Sequence, residues 1–169
     1  FRYRNPCIDA NSLIIAMSQS GETLDTLECL KMARQKGCQI LSVCNKEHTE
    51  IPRHSDATLY MGCGPEIGVA STKAFTAMVL SHYFITKAMA QKLALCSGKD
   101  FALEFDDLRS FPYMLQQVLE SETLITKVAQ DYFQSSHFIY IGRGINSAIA
   151  SEGALKLKEI SYIHAEAYA

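Results

Sequence analysis

Apolar residues fall in two rhythms along this chain. Residues 13–17, LIIAM, form a run with no polar member, bounded on both sides by polar turns. Such a run predicts a strand covered on both faces, as in a parallel sheet. Residues 39–44 and 57–61 are further, largely apolar runs that read as strands. Between the first two runs, Leu24, Leu27, Leu30 and Ala33 recur at three-residue spacing, with Asp25, Glu28, Lys31 and Arg34 supplying a polar side. That spacing predicts an amphipathic helix over 23–36. Glu28 and Lys31 are placed to pair, and Gly37 to close the helix as its C′ residue. Strand, helix and strand at this spacing make one right-handed βαβ unit. Residues 45–55 contain Pro52 and read as loop or a short helical turn.

Residues 62–75, GCGPEIGVASTKAF, are punctuated early by Gly62, Gly64, Pro65 and Gly68. Ser71 or Thr72 is placed to cap a long apolar helix over 73–93. It carries Phe75, Val79, His82, Tyr83 and Ala90 and few charges. We expect it to be largely buried, in the core or against another subunit, with His82 a core or interface histidine. Residues 94–100 read as a linker. Residues 101–120 read as mainly helical with a break at Pro112, and Ser121 as the N-cap of a helix over 122–133. HFIYI at 137–141 then leads through Gly142, Arg143 and Gly144 into a helix over 147–160. This repeats the opening order of strand, small polar turn and helix. The expected class is α/β with parallel sheets. One unit covers 1–98; connecting helices and the start of a second unit cover 99–169.

Composition narrows the function. The chain has 169 residues, 48% hydrophobic and 20% charged, with a net charge of −2. No long basic run offers a nucleic-acid surface, and no run reaches the length of a membrane span. Residues 1–6, FRYRNP, lack the apolar segment of a signal peptide. With no initiator Met, the chain reads as a piece of a longer polypeptide. The six cysteines, at 7, 29, 38, 44, 63 and 96, form no C-x-x-C pair. They read as free, mostly buried thiols of a reducing, cytoplasmic compartment. The five histidines show no ligand spacing with them, and His164 with Glu166 is too small a set for a metal. We expect no metal and no cofactor. The Gly142-Arg143-Gly144 turn lacks the third glycine of a dinucleotide fingerprint, and no G-x-S-x-G elbow is present. Arg143 reads as a phosphate partner or a structural salt bridge.

Two constellations remain. Ser18, Gln19, Ser20, Gly21 and Thr23 sit beyond the first strand, at a helix start. Ligands of open α/β sheets bind beyond the carboxyl ends of strands, and a helix start favours an anion. The turn therefore reads as a phosphate or sugar-phosphate pocket, against the simpler reading that Ser20 or Thr23 only caps the helix. Glu152, Lys156 and Glu159 follow at spacings of four and three, which places them on one helix face, with Lys158 pointing away. A tuned carboxylate can move a proton on carbon while an ammonium holds developing oxygen charge. The competing reading is a surface ladder of ion pairs. Against it, Ala154, Leu155, Leu157 and Ile160 leave the helix only a narrow polar face.

SQSGET at 18–23, GPEIGVASTKAF at 64–75 and EGALKLKEISYIHAEAYA at 152–169 together resemble the sugar isomerase part of the glutamine–fructose-6-phosphate aminotransferase, or glucosamine-6-phosphate synthase, family. The resemblance spans essentially the whole chain. It implies a three-layer α/β/α phosphosugar isomerase (SIS, flavodoxin-like) fold in two tandem units. It implies that Ser18, Gln19, Ser20 and Thr23 hold the sugar phosphate and that Val69 and Ser71 line the sugar pocket. Glu159 would move the proton from C1 to C2, with Lys156 and Glu152 beside it. Family members also carry a glutaminase domain with a cysteine nucleophile, a ring-opening His supplied across a homodimer, and a tail Lys. Nothing in these residues matches those parts. The expected parent makes glucosamine 6-phosphate from fructose 6-phosphate and glutamine, and the segment alone is expected to lack full activity. A non-enzymatic phosphosugar sensor would keep the 18–23 turn without needing the Glu152, Lys156, Glu159 face. A one-domain sugar-phosphate isomerase fits poorly with a second α/β start. A structural or dimerisation fragment is the remaining alternative.

Overall fold

The computed structural model of the chain describes residues 1, 3–95 and 108–169. Most of the expected linker, the start of the helix expected from 101, Cys96 and the boundary near 98 lie outside the described residues. Two compact units are present, residues 1–67 with 71–86 and residues 68–70 with 87–169.

In the first unit, β1 (Leu13–Ser18), β2 (Gln39–Cys44) and β3 (Ala57–Tyr60) form a parallel sheet in the order β1-β2-β3. Ser18 lies opposite Cys44, and Cys44 opposite Tyr60. Strand β1 runs one residue past its apolar stretch, and β3 stops one residue short of Met61. Helix α1 (Leu24–Gln35) lays Leu27, Leu30 and Ala33 on this sheet, against Ala16, Ile40 and Cys44. Leu30 is 1% exposed, so its truncation to Ala costs about 2–5 kcal/mol. Gly37 takes φ +78°, with Cys38 N–H donating to the Ala33 carbonyl at 3.1 Å and Gly37 N–H to that of Arg34 at 3.0 Å. These are the two bonds of a Schellman closure. The expected Glu28–Lys31 pair forms at 2.8 Å. A four-residue helix, α2 (Glu50–Arg53), lies within the polar stretch and buries Ile51. Asp56 joins the layers. It accepts from Arg34 Nη1 at 2.6 Å and from Ile40 N–H at 2.7 Å. Those bonds, the Arg34 one foremost, hold its carboxyl below the usual range.

Helix α3 (Lys73–Lys92) forms where expected, but only Ala74 and Ser81 are buried on it. Val79 and His82 are exposed. Among the described residues, core burial of this helix is therefore not found, and His82 is exposed rather than a core histidine. Of the five described cysteines, Cys38 and Cys44 are buried, Cys29 and Cys63 half-buried and Cys7 exposed; all are free thiols. Burial pushes the Cys44 thiol up.

In the second unit, residue 108 is helical, 109–110 form a turn, and α4 (Phe111–Leu119) starts with Pro112 in its first turn, so the expected break is present and the proline opens the helix that follows it. Ser121 stands at the N-cap of α5 (Glu122–Tyr132), but its side chain makes no capping bond. Neither helix has a buried residue. Strand β4 (His137–Ile141), helix α6 (Asn146–Ser161) and strand β5 (His164–Tyr168) follow. β4 and β5 pair in parallel in a sheet separate from β1–β3, as the two-unit reading requires. β5 was not expected. Glycine permits the close approach of α6 to β4. A Cβ at buried Gly142 would overlap the Asn146 carbonyl, and one at Gly153 would stand 2.9 Å from the Tyr140 ring. Among the described residues, no helix is long and apolar enough to cross a membrane.

Candidate functional site

The turn after β1 is built by its own hydroxyls. Ser18, 4% exposed, accepts the Gly21 N–H at 3.0 Å and shares a 2.9 Å hydrogen bond with Thr23 Oγ1. Ser20 Oγ accepts the Glu22 N–H at 3.2 Å. Thr23 occupies the N-cap position of α1, yet its side chain makes no capping bond. The simple capping reading therefore fails for Thr23: its hydroxyl turns to Ser18 instead. The first N–H groups of α1 have no intrahelical acceptor, and the helix dipole adds positive potential there. Gln19 and Ser20 are half-buried at the same turn. Gly21 is required, at φ +68°, because a Cβ there would overlap Thr49 Oγ1. Glu22, the acidic member of the turn, accepts the Glu50 N–H of α2 at 3.2 Å. The structure thus brings Ser18, Gln19, Ser20 and Thr23 together as neutral donors at a strand end.

Ser71 is half-buried just before α3, and Val69 is 95% exposed. The residue that organises this stretch is one the sequence reading did not single out. Glu66 Oε1 accepts the N–H groups of Thr72 at 2.8 Å and Ala74 at 3.3 Å, and the Thr72 hydroxyl at 3.4 Å. Those bonds, the Thr72 N–H first and a Ser71 hydroxyl bond among them, hold Glu66 below the usual carboxylate range. Glu66 caps α3, where Ser71 or Thr72 was expected to. Asn45, at the end of β2, likewise ties down the 62–64 loop, donating to the Gly64 carbonyl at 2.7 Å and accepting from Cys63 N–H at 3.1 Å.

On α6, Lys156 Nζ lies 2.5 Å from Glu159 Oε2 and 3.3 Å from Glu152 Oε1. The predicted face is formed. The hydrogen bond to Glu159 raises the Lys156 pKa, with Glu152 adding to the effect, so the ammonium is held charged. All three side chains are a quarter to a third exposed. Exposed i,i+4 pairs contribute only about 0.3–0.5 kcal/mol each, so stability gives little reason for the triad. The narrow polar face expected around it is not found among the described residues. Only Ala150 and Ala154 are buried on α6, and Ile160 is 70% exposed. Lys158 is exposed and outside the triad. Arg143 is exposed as well. Among the described residues no three His, Cys, Asp or Glu side chains gather as metal ligands.

Comparisons with known proteins bear on the family and the fold. The SIS domain family model matches residues 1–88 and 131–169. The chain is 43% identical to a glutamine–fructose-6-phosphate aminotransferase of Corynebacterium glutamicum, over all of this chain and 27% of that protein. It is also 43% identical to that of Thermus thermophilus, over 99% of this chain and 28% of the relative. The chain thus spans little more than a quarter of the length of these relatives. A solved structure, the C-terminal domain of glucosamine-fructose-6-phosphate aminotransferase from Francisella tularensis, superposes with a TM-score of 0.94 at 38% identity, covering 99% of this chain and 48% of that one. The fold is the three-layer α/β/α phosphosugar-isomerase class with parallel sheets. The chain belongs to the SIS domain family, and within it resembles the isomerase portion of the glutamine–fructose-6-phosphate aminotransferases.

Proposed function

We propose that this chain is the sugar-phosphate-binding and isomerising segment of a longer enzyme that forms glucosamine 6-phosphate from fructose 6-phosphate and glutamine. The observation that carries the reading is Lys156 held between Glu152 and Glu159 on one helix face, in a chain that also builds a hydroxyl-lined turn at a strand end. Ser18, Gln19, Ser20 and Thr23 hold the phosphate, and Val69 and Ser71 line the sugar. A glutaminase domain of the same polypeptide supplies ammonia, and the enzyme works as a homodimer. Ammonia condenses with the C2 carbonyl, losing water, to give an imine. Glu159 takes a C1 proton; the C1–H electron pair forms C1=C2, and the imine nitrogen gains a proton. The C1 hydroxyl then loses its proton as C1=O forms, and C2 takes the proton back from Glu159. Lys156 stabilises the negative charge that develops on oxygen. Without Glu159 and Lys156 the same turn would serve only to bind.

The test is conversion of fructose 6-phosphate to glucose 6-phosphate by the full-length enzyme without glutamine. Lys156→Gln should lower kcat by about 10² or more, while Lys158→Gln should stay within a few-fold of wild type. Equal effects of the two substitutions would remove Lys156 from the mechanism.

A further inference from the structure

We propose that His137 and His164 form a two-histidine site for a borderline transition-metal ion, Zn²⁺, Ni²⁺ or Cu²⁺, at the amino-terminal end of the β4–β5 pair. The two residues are 27 apart in sequence, and the parallel register sets them side by side as the first residues of their strands. Their rings meet edge to face, with centroids 5.2 Å apart and planes at 75°. The Nδ1 atoms are 3.2 Å from each other. Two imidazole nitrogens on one tetrahedral zinc, each at about 2.0–2.1 Å, stand roughly 3.3–3.4 Å apart. The pair therefore already has the bite of a chelate.

A second set of contacts orients the donors. Glu166 Oε1 lies 3.4 Å from His164 Nε2, and the Tyr168 hydroxyl donates to Glu166 Oε2. The carboxylate draws the His164 proton onto Nε2 and leaves the Nδ1 lone pair toward His137. A carboxylate on the far nitrogen orients a metal-bound imidazole and raises its basicity. In the metal-free pair, His137 Nδ1–H donates to His164 Nδ1. Metal binding moves that proton through solvent from His137 Nδ1 to Nε2, so both rings remain neutral ligands. Both histidines are exposed in this chain, leaving room for water at the other coordination positions. Nitrogen donors select against Mg²⁺ and Ca²⁺, which take oxygen ligands. The bound ion would clip the starts of β4 and β5 together and stabilise the folded second unit by mass action.

The test is calorimetric titration of the metal-free, untagged full-length protein with NiCl₂ and with ZnCl₂. Wild type should show a binding event that is lost in both His137→Gln and His164→Gln and weakened about 10–100-fold in Glu166→Gln. Metal should raise the melting temperature of wild type and of neither histidine variant. The two histidine variants are independent, and each should melt like wild type without metal. An isotherm for either one that superimposes on wild type would overturn the proposal. So would a Glu166→Gln protein that binds both metals as tightly as wild type.

Discussion

Gly21→Ala tests how the turn after β1 is built. Gly21 sits at φ +68°, and a Cβ there would overlap Thr49 Oγ1 and stand 2.9 Å from Thr49 Cβ. The left-handed backbone costs an L-residue about 1–2 kcal/mol. Thr49 must also move, breaking its 3.2 Å bond to the Lys46 carbonyl, a loss of about 1 kcal/mol. Together these weaken the turn by about 2–3 kcal/mol, so its amides should open roughly 30–150 times more often. Hydrogen exchange by mass spectrometry on the full-length enzyme, read on peptides covering residues 13–23, measures this without assuming two-state unfolding. Thr49→Ala in the Gly21→Ala background removes the Oγ1 overlap but also the bond to Lys46, and it keeps the Thr49 Cβ at 2.9 Å, so exchange should stay well above wild type. Exchange in Gly21→Ala within twofold of wild type would refute the claim that this glycine sets the turn. So would full recovery in the double variant.

Ser20→Asp keeps an acceptor for the Glu22 N–H, which Ser20 Oγ now receives at 3.2 Å, but places a charge where we put the phosphate. Fructose 6-phosphate binding to the full-length enzyme should weaken well over tenfold by calorimetry, and unchanged affinity would move the phosphate elsewhere. Asp56 gives a pH prediction. Its folded carboxyl lies below the ordinary value of 3.8 because of Arg34 and the Ile40 N–H, so the unfolded chain binds the proton more readily. Its stabilisation is therefore full above the unfolded value and is lost as pH falls through the folded one. The stability gap between wild type and Asp56→Asn should close as pH falls through and below the ordinary carboxylate value of 3.8, read by urea denaturation. A gap that widens on acidification would reverse the assignment.

The parts legible in the sequence are those that carry an apolar run or a helical spacing of their own. The apolar runs of β1 and β2 and the three-residue face of α1 predicted one βαβ unit, because each element buries its face on its neighbour. The Glu152–Lys156–Glu159 face follows from helical spacing alone, and the ion pairs then form on it. Strand β5 was not legible: HAEAY has no apolar run, and it becomes a strand by pairing with β4, 27 residues earlier. Glu66 escaped for a similar reason, since its carboxylate reaches six and eight residues forward to Thr72 and Ala74. Thr23 and Ser121 have the chemistry of caps and hold cap positions, but position does not oblige a side chain to bond. The buried state expected for α3 came from composition, and an apolar sequence does not say which surface will cover it.

The central claim is that Glu159 moves the proton between C1 and C2, and hydrogen exchange at C1 of the sugar phosphate tests it most directly. Fructose 6-phosphate incubated in deuterated solvent with the full-length enzyme should exchange its C1 hydrogen, as followed by NMR. Glu159→Gln keeps the size of the side chain and an acceptor for Lys156 Nζ, now at 2.5 Å, while removing the base. Exchange and kcat should fall together by about 10²–10⁴, with sugar-phosphate affinity within a few-fold of wild type. Near-normal exchange in Glu159→Gln would contradict the account and leave the triad as a ladder of surface ion pairs.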